Sequence, residues 1–228
     1  MQDNAAMIDG FEQLMHTRRS VRGFKPDLIP QPVLDEIFTT AQLSPSNCNV
    51  QPWVVHVVSG PAADKMRTDL TAHVMSGAAA TPDFPLTDKY PGEYRTRQIG
   101  AAVALFNATG VARDDQMARM KSMLRNFEFF DAPHALFLFM PDWAGWREAA
   151  DCGMYAQSLM LAMAAHGVGS CAQGALSHYA GFVKAELGLP DELKLLFGIS
   201  FGYADEAHPA NRARTDRAAI SDAIHFHI

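Results

Sequence analysis

The chain is short of cysteine. Among 228 residues only Cys48, Cys152 and Cys171 occur, with no C-x-x-C pair. An odd, unpatterned set gives no disulfide framework and fits a reducing compartment, so a cytoplasmic location is expected. Long hydrophobic runs are missing too. The most apolar stretch, residues 149–165, is interrupted by Asp151, Cys152, Tyr155, Gln157 and Ser158. Nothing approaches the roughly 20 residues that span a bilayer. The opening "MQDNAAMIDG" has neither a basic n-region nor an apolar h-region, so no signal peptide is expected. Positive charge is in deficit: 19 Lys and Arg stand against 25 Asp and Glu, for a formal net charge of -6. That balance argues against a protein that coats nucleic acid. No repeat, low-complexity run or linker is visible. What is present is a 48% hydrophobic chain with 19% charged residues, which folds rather than stays disordered and fills one large domain or two small ones.

Periodicity places the elements. Met7, Ile8, Phe11, Leu14 and Met15 share one helical face, so an amphipathic helix opens the chain. A second helix starts at residues 30–32, with Val33, Leu34, Ile37, Phe38 and Ala41 as its buried stripe. Residues 44–52 form a polar loop of turn formers. Strands are expected at 53–58, 134–140 and 193–203. Helices are expected at 61–76, 94–108, 114–125, 148–166 and about 177–187, with a Pro-rich loop at 82–92. The long apolar helix at 148–166 belongs at the centre or at an interface, closed by Gly167. The sum is a helix-rich α+β domain.

Several motifs tempt and fail. "GISFG" at 198–202 matches the nucleophile-elbow pattern, but its serine lies inside an apolar strand with no following helix. It reads instead as a strand with small residues where something packs closely. "GVGSCA" at 167–172 mimics a dinucleotide fingerprint, yet it follows a helix rather than a strand. Gly167 then reads as a helix C′ residue. His225 and His227 end the chain without ligand spacing, so no metal site is expected. Cys171 sits in a Gly/Ser/Gln loop with no activating neighbour and reads as a small packed residue.

One feature runs against the acidic average. "TRRSVRGFK" at 17–25 packs Arg18, Arg19, Arg22 and Lys25 around Ser20. Guanidinium forks and a hydroxyl suit phosphate oxygens. A solvated helix end, with arginines favouring the C-terminal dipole, explains the cluster equally well on its own. "SPSNCNVQPW" at 44–53 brings Ser46, Asn47, Asn49 and Gln51 into one loop pinned by Pro45 and Pro52. Such a loop has donors and acceptors for the edge of a heterocycle. "NRARTDR" at 211–217 is a second arginine cluster at the far end. Together they suit one phosphorylated heterocyclic ligand.

In this order, "RRSVRGF", "LSPSNCNVQPW", "CGMYAQSLMLAMAAHGVGSCAQ" and "FGISFGYADEAHPANRARTDRA" resemble the nitroreductase family of FMN-dependent oxidoreductases. The resemblance covers nearly the whole chain, and "NFEFFDAPHALFLF" and the tail look most like the nitroaromatic-reducing subgroup. It implies an α+β sandwich around a small, mostly antiparallel sheet, and an intertwined homodimer with FMN at the interface. It implies one domain over 1–228, with 82–130 as a helical insert at the substrate pocket. Arg18, Arg19 and Ser20 would hold the phosphate and ribityl chain, and Arg22 would lie toward flavin N1 and O2. Pro45, Ser46, Asn47 and Asn49 would come from the partner subunit, and Gln51 of the same loop would also contact the cofactor. Ala172, Gln173 and Gly174 would approach flavin N5, although Ala172 stands where many relatives carry proline. Arg214 and Arg217 would complete the phosphate site.

The implied reaction is ping-pong hydride transfer through flavin N5, with NAD(P)H as donor and nitroaromatics or quinones as acceptors. No side chain is needed as a catalytic acid or base. Tyr90, Tyr94, Phe127, Phe129 and Phe130 are the aromatic candidates for the acceptor pocket, with core packing as the competing role. The alternatives are a same-fold enzyme that reduces enones, flavins or halogenated aromatics, and an FMN-binding protein without turnover. The absence of an output domain or linker speaks against the latter.

Overall fold

The computed structural model describes residues 4–87 and 89–227. Its centre is a four-stranded sheet in the order β1-β2-β4-β3. The strands are β1 (Val54–Ser59), β2 (His134–Pro141), β3 (Gly169–Gln173) and β4 (Leu193–Gly202). All three pairings are antiparallel. Seven α-helices are described: α1 (Asn4–Thr17), α2 (Gln31–Ala41), α3 (Pro61–Met75), α4 (Gly92–Thr109), α5 (Gln116–Leu124), α6 (Trp146–Ala165) and α7 (Ala180–Leu187). No helix among the described residues is long and apolar enough to cross a membrane.

β2 is buried on both faces, which explains its unbroken apolar run "HALFLFM". Ala135, Phe137 and Phe139 point into one core with Met66 and Leu70 of α3 and Val183 of α7. Leu136, Leu138 and Met140 point into the other, with Ile37 of α2 and Tyr155 and Leu159 of α6. In β4 the register with β2 slips between Leu138 and Phe139, whose partners are Phe197 and Leu195. Leu196 is therefore the extra residue of a bulge, which re-aims the strand. Leu195 joins the first core, and Ile199 and Phe201 join the second.

The expected elements appear with small shifts in their ends. The main correction is β3. Residues 169–173 form an edge strand rather than a loop, although they contain no β-branched or aromatic residue. Pairing with β4, not local propensity, makes the strand. The helix expected at 177–187 is a 3-10 turn over Gly174–Tyr179 followed by α7. Asp88, in the Pro-rich loop expected at 82–92, lies outside the described residues. Asp83 of that segment is anchored firmly: its Oδ1 is 2.8 Å from Lys184 Nζ, and its Oδ2 accepts the Leu195 N–H at 2.8 Å.

Gly167 follows the C-terminus of α6 at φ 70, as a C′ glycine should. Gly198 lies inside β4 where a Cβ would collide with Leu176 Cδ1 and stand 3.0 Å from the Leu136 carbonyl oxygen. The small residues of "GISFG" thus admit the turn above the sheet.

Candidate functional site

α1 ends at Thr17, and the chain then runs along the free edge of β3. Ser20 pairs with Ser170 in parallel, and the Val21 N–H donates to the Ser170 carbonyl at 3.0 Å. Parallel register sets Arg22 beside Ala172. Val21 can pack here because Gly169 has no side chain: a Cβ there would lie 2.8 Å from Val21 Cγ2. Phe24 then bridges Ala204 beyond the end of β4.

This run meets the second arginine cluster through one side chain, Asn211, which is only 3% exposed. Its Oδ1 accepts the Arg22 N–H at 2.7 Å. Its Nδ2 donates to the carbonyls of Gly23 at 2.7 Å and Asp205 at 2.8 Å. Its own carbonyl accepts from Arg19 Nη1 at 2.7 Å and Arg214 Nη1 at 2.8 Å. Arg19 also donates both ways to the Glu206 carboxylate, at 2.8 and 2.7 Å. Asn211 and Glu206 were not among the sequence candidates. Asn211 stood inside the quoted "NRARTDR", but nothing local marks it as the residue that joins the two ends.

Arg18, Arg19, Ser20, Arg22, Arg214 and Arg217 line one cavity of about 680 Å³. α4 reaches it with Ala101 and α6 with Gln157. Five arginines and no carboxylate line this space. Guanidinium groups crowded around a cavity repel one another unless an anion joins them. The donor set, planar forks plus a hydroxyl, matches a phosphate monoester dianion. The volume lies within the usual range for small-molecule sites, roughly 300–1,000 Å³. The residues present therefore fit the phosphate-bearing part of FMN.

The other candidates lie elsewhere. Pro45, Asn47, Asn49 and Gln51 are exposed on the 44–52 loop, with Ser46 half-buried, and none lines the arginine cavity. The loop is shaped by a 3-10 turn, Asn47–Asn49, with positive φ at Cys48, Asn49 and Gln51. It is held by the Asn47 N–H donating to Asp151 Oδ2 at 3.1 Å and by the Gln51 N–H donating to Ser46 Oγ at 2.9 Å. Asp151, buried in apolar α6, is a second positioning residue that sequence reasoning passed over. Ala172 and Gly174 are exposed at the end of β3, but the Gln173 side chain turns inward. Its Nε2 donates to the Asn126 carbonyl at 2.7 Å, and its Oε1 accepts from Ser200 Oγ.

The aromatic candidates divide. Phe127 and Phe129 are core residues, and Phe129 is wholly enclosed. Tyr90 and Tyr94 are exposed and line no part of the arginine cavity. Phe130 is buried but borders a neighbouring cavity that Arg22 also lines. It lies in a left-handed turn with φ of 54, 54 and 65 at Phe129, Phe130 and Asp131. Such a turn costs about 1–2 kcal/mol per residue. Here the enclosed phenylalanines offset it, as do Arg67, which donates to the Glu128 and Ala132 carbonyls at 2.9 and 2.6 Å, and Arg125, which pairs with Asp131 at 3.0 Å.

Cys171 is buried beneath Ser20 and the arginines. Burial pushes its thiol up, against the smaller opposing pull of Arg22, Ser20 and Arg18. A thiol so held is a packed residue, not a nucleophile.

The sequence pattern of the Nitroreductase family matches residues 15–203. Nitroreductase NfnB of Mycolicibacterium smegmatis is 43% identical over 217 residues, covering 94% of this chain and 92% of its own. The 4-nitrobenzoate reductase of Pseudomonas putida is 31% identical over 223 residues, covering 97% of each. The crystal structure of FMN-dependent NfnB from Mycobacterium smegmatis in complex with NADPH superposes with a TM-score of 0.93 at 40% identity, over 97% of this chain and 100% of that one. With most of the length matched by family pattern, sequence and backbone alike, this chain belongs to the nitroreductase family.

Proposed function

We propose that this protein is an FMN-dependent NADPH oxidoreductase that reduces nitroaromatic compounds, and quinones by the same route, as a cytoplasmic homodimer. The observation that carries the reading is the meeting of Arg18, Arg19, Ser20 and Arg22 with Arg214 and Arg217 around one cavity free of carboxylates. The relatives support the donor and the acceptor class: one was crystallised with NADPH, and others are named for nitrobenzoate and nitrobenzene reduction.

Bound FMN supplies two-electron chemistry at N5, between the nicotinamide donor and the acceptor. The chain's own residues bind and orient. Arg18, Arg19, Ser20, Arg214 and Arg217 hold the phosphate and ribityl chain. Arg22 would offer positive charge toward the pyrimidine edge of the flavin. Ala172 and Gly174 offer exposed backbone at the end of β3, beside Arg22. Gln173 contributes main chain only, because its amide is engaged with Asn126 and Ser200. No side chain moves a proton in the chemical step.

A second copy completes the site with Pro45, Ser46, Asn47, Asn49 and Gln51. The support is α1, which buries none of its residues in the single chain. Met7, Ile8 and Phe11 are each 57% exposed on it. Such a stripe marks an interaction surface. The insert at 82–130 forms a wall of the acceptor pocket, supported by Ala101 of α4 in the arginine cavity.

The test is the visible spectrum of the purified protein, followed anaerobically through addition of NADPH and then a nitroaromatic. Yellow protein that bleaches with NADPH and recovers with the acceptor is the expected result. Colourless protein that takes up no added FMN overturns the reading.

A further inference from the structure

A second cavity, of about 230 Å³, opens where α4 and α5 face residues 208–210. It adjoins the arginine cavity, because Arg22 lines both. α4 runs past both with residues four apart on one face: Ala101 at the first, Leu105 and Thr109 at the second. Leu105, Val111, Phe130 and Pro209 make the second cavity apolar. For scale, a cavity of roughly 150 Å³ holds benzene. The space therefore suits one substituted aromatic ring and excludes a dinucleotide.

Its charge is one-sided. Arg22, Lys121 and Arg125 line it, and no carboxylate does. Arg125 is already engaged, donating to Asp131 Oδ2 at 3.0 Å and to the Arg22 carbonyl at 3.3 Å. Arg22 stands 6.0 Å from the Phe130 ring centroid. Neither Arg22 nor Lys121 is in an ion pair among the described residues. His208 adds no charge at neutral pH. Desolvation, then Arg125, hold its pKa below the usual value against the weaker pull of Asp205 and Asp131. An acidic chain thus keeps uncompensated cations beside an apolar pocket of single-ring size.

We propose that this cavity is the acceptor site and that it selects aromatic carboxylates: the ring lies against Leu105, Val111 and Phe130, and the carboxylate meets Lys121. The proposal rests on the FMN reading above, and the carboxylate stays a spectator of the redox step. Cations next to apolar walls bind an aromatic anion through both parts of the ligand, and a neutral nitroaromatic through one only.

The experiment uses the FMN-loaded protein with 4-nitrobenzoate and its neutral analogue 4-nitrobenzamide. Wild type is expected to favour the carboxylate in kcat/KM. In Lys121→Met the ratio of the two kcat/KM values falls about five- to tenfold, as loss of a close charge pair predicts. Lys121→Arg restores most of it. Calorimetry with the unreactive pair benzoate and benzamide is expected to show the same loss in Kd without turnover. A ratio near one in wild type, or a ratio unchanged in Lys121→Met, overturns the proposal while leaving the FMN reading intact. Protein that holds no FMN overturns both.

Discussion

At the scale of the residue, Asn211 decides most. All of its amide hydrogen-bonding groups, and its main-chain carbonyl, serve to hold the 18–23 run against the tail. Removing the amide leaves the half-buried Arg22 N–H without its acceptor and takes one of two donors from the Gly23 carbonyl, which keeps the Asp205 N–H at 3.0 Å. Asn211→Ala is expected to destabilise the fold by about 2–3 kcal/mol and to weaken FMN retention, measured by thermal melting and by flavin content after gel filtration. His134 is a second buried group with a defined state. Its Nε2 accepts the Ile29 N–H at 2.9 Å, so the proton sits on Nδ1, 2.7 Å from Ser59 Oγ. Its ring stacks on Phe201. Burial lowers its pKa in the folded protein. The unfolded chain then binds the proton more readily, so the stabilisation is complete above the ordinary histidine value near 6.5 and fades as pH falls toward the lowered folded value. Urea midpoints measured from pH 7.5 down to 5 (about those limits) should decline in wild type and decline less in His134→Gln.

At the scale of the element, β4 is shaped by what packs on it. The bulge at Leu196 turns its two ends toward opposite cores. Gly198 leaves room for Leu176 of the 3-10 turn that follows β3. Gly198→Ala is expected to cost about 1–3 kcal/mol through overpacking. Leu176→Ala in the same chain should recover part of that loss, which a double-mutant cycle of urea denaturation measures. If the two substitutions simply add, the close approach is not the cause. β3 follows the same logic. Its strand state comes from β4 on one side and from Ser20 and Val21 on the other.

At the scale of the whole molecule, α1 leaves Met7, Ile8 and Phe11 exposed in the single chain, and in the proposed reading a second copy covers them. A 14-residue helix with no buried residue is marginal in water. Placing charge on its stripe, as in Ile8→Asp with Phe11→Asp, is expected to shift the protein from dimer to monomer in sedimentation velocity. Flavin content should fall with it, because the 44–52 loop of the partner completes the site in the proposed reading. A variant that stays dimeric and yellow would separate α1 from the assembly.

Sequence alone determined the inventory. Apolar runs marked β1, β2 and β4, because the central strands are covered by core on both faces, and period-3.6 patterns marked helices such as α2 and α6, because each buries a face. Arg18, Arg19, Ser20, Arg22, Arg214 and Arg217 were legible as candidate anion ligands from their chemistry, with a solvated helix end as the equal reading of the first cluster; that they line one cavity was not. Spacing does not carry pairing across long distances, and there the tertiary structure decided. It joined residues 19 and 22 to 211 through one buried amide. It made an edge strand from "GSCAQ", whose side chains have little preference for one. It sent Phe127 and Phe129 to the core and left Phe130 at a cavity wall. A phenylalanine looks the same in sequence whichever way the backbone turns, and that left-handed turn exists only because Arg67, Arg125 and the packed core hold it.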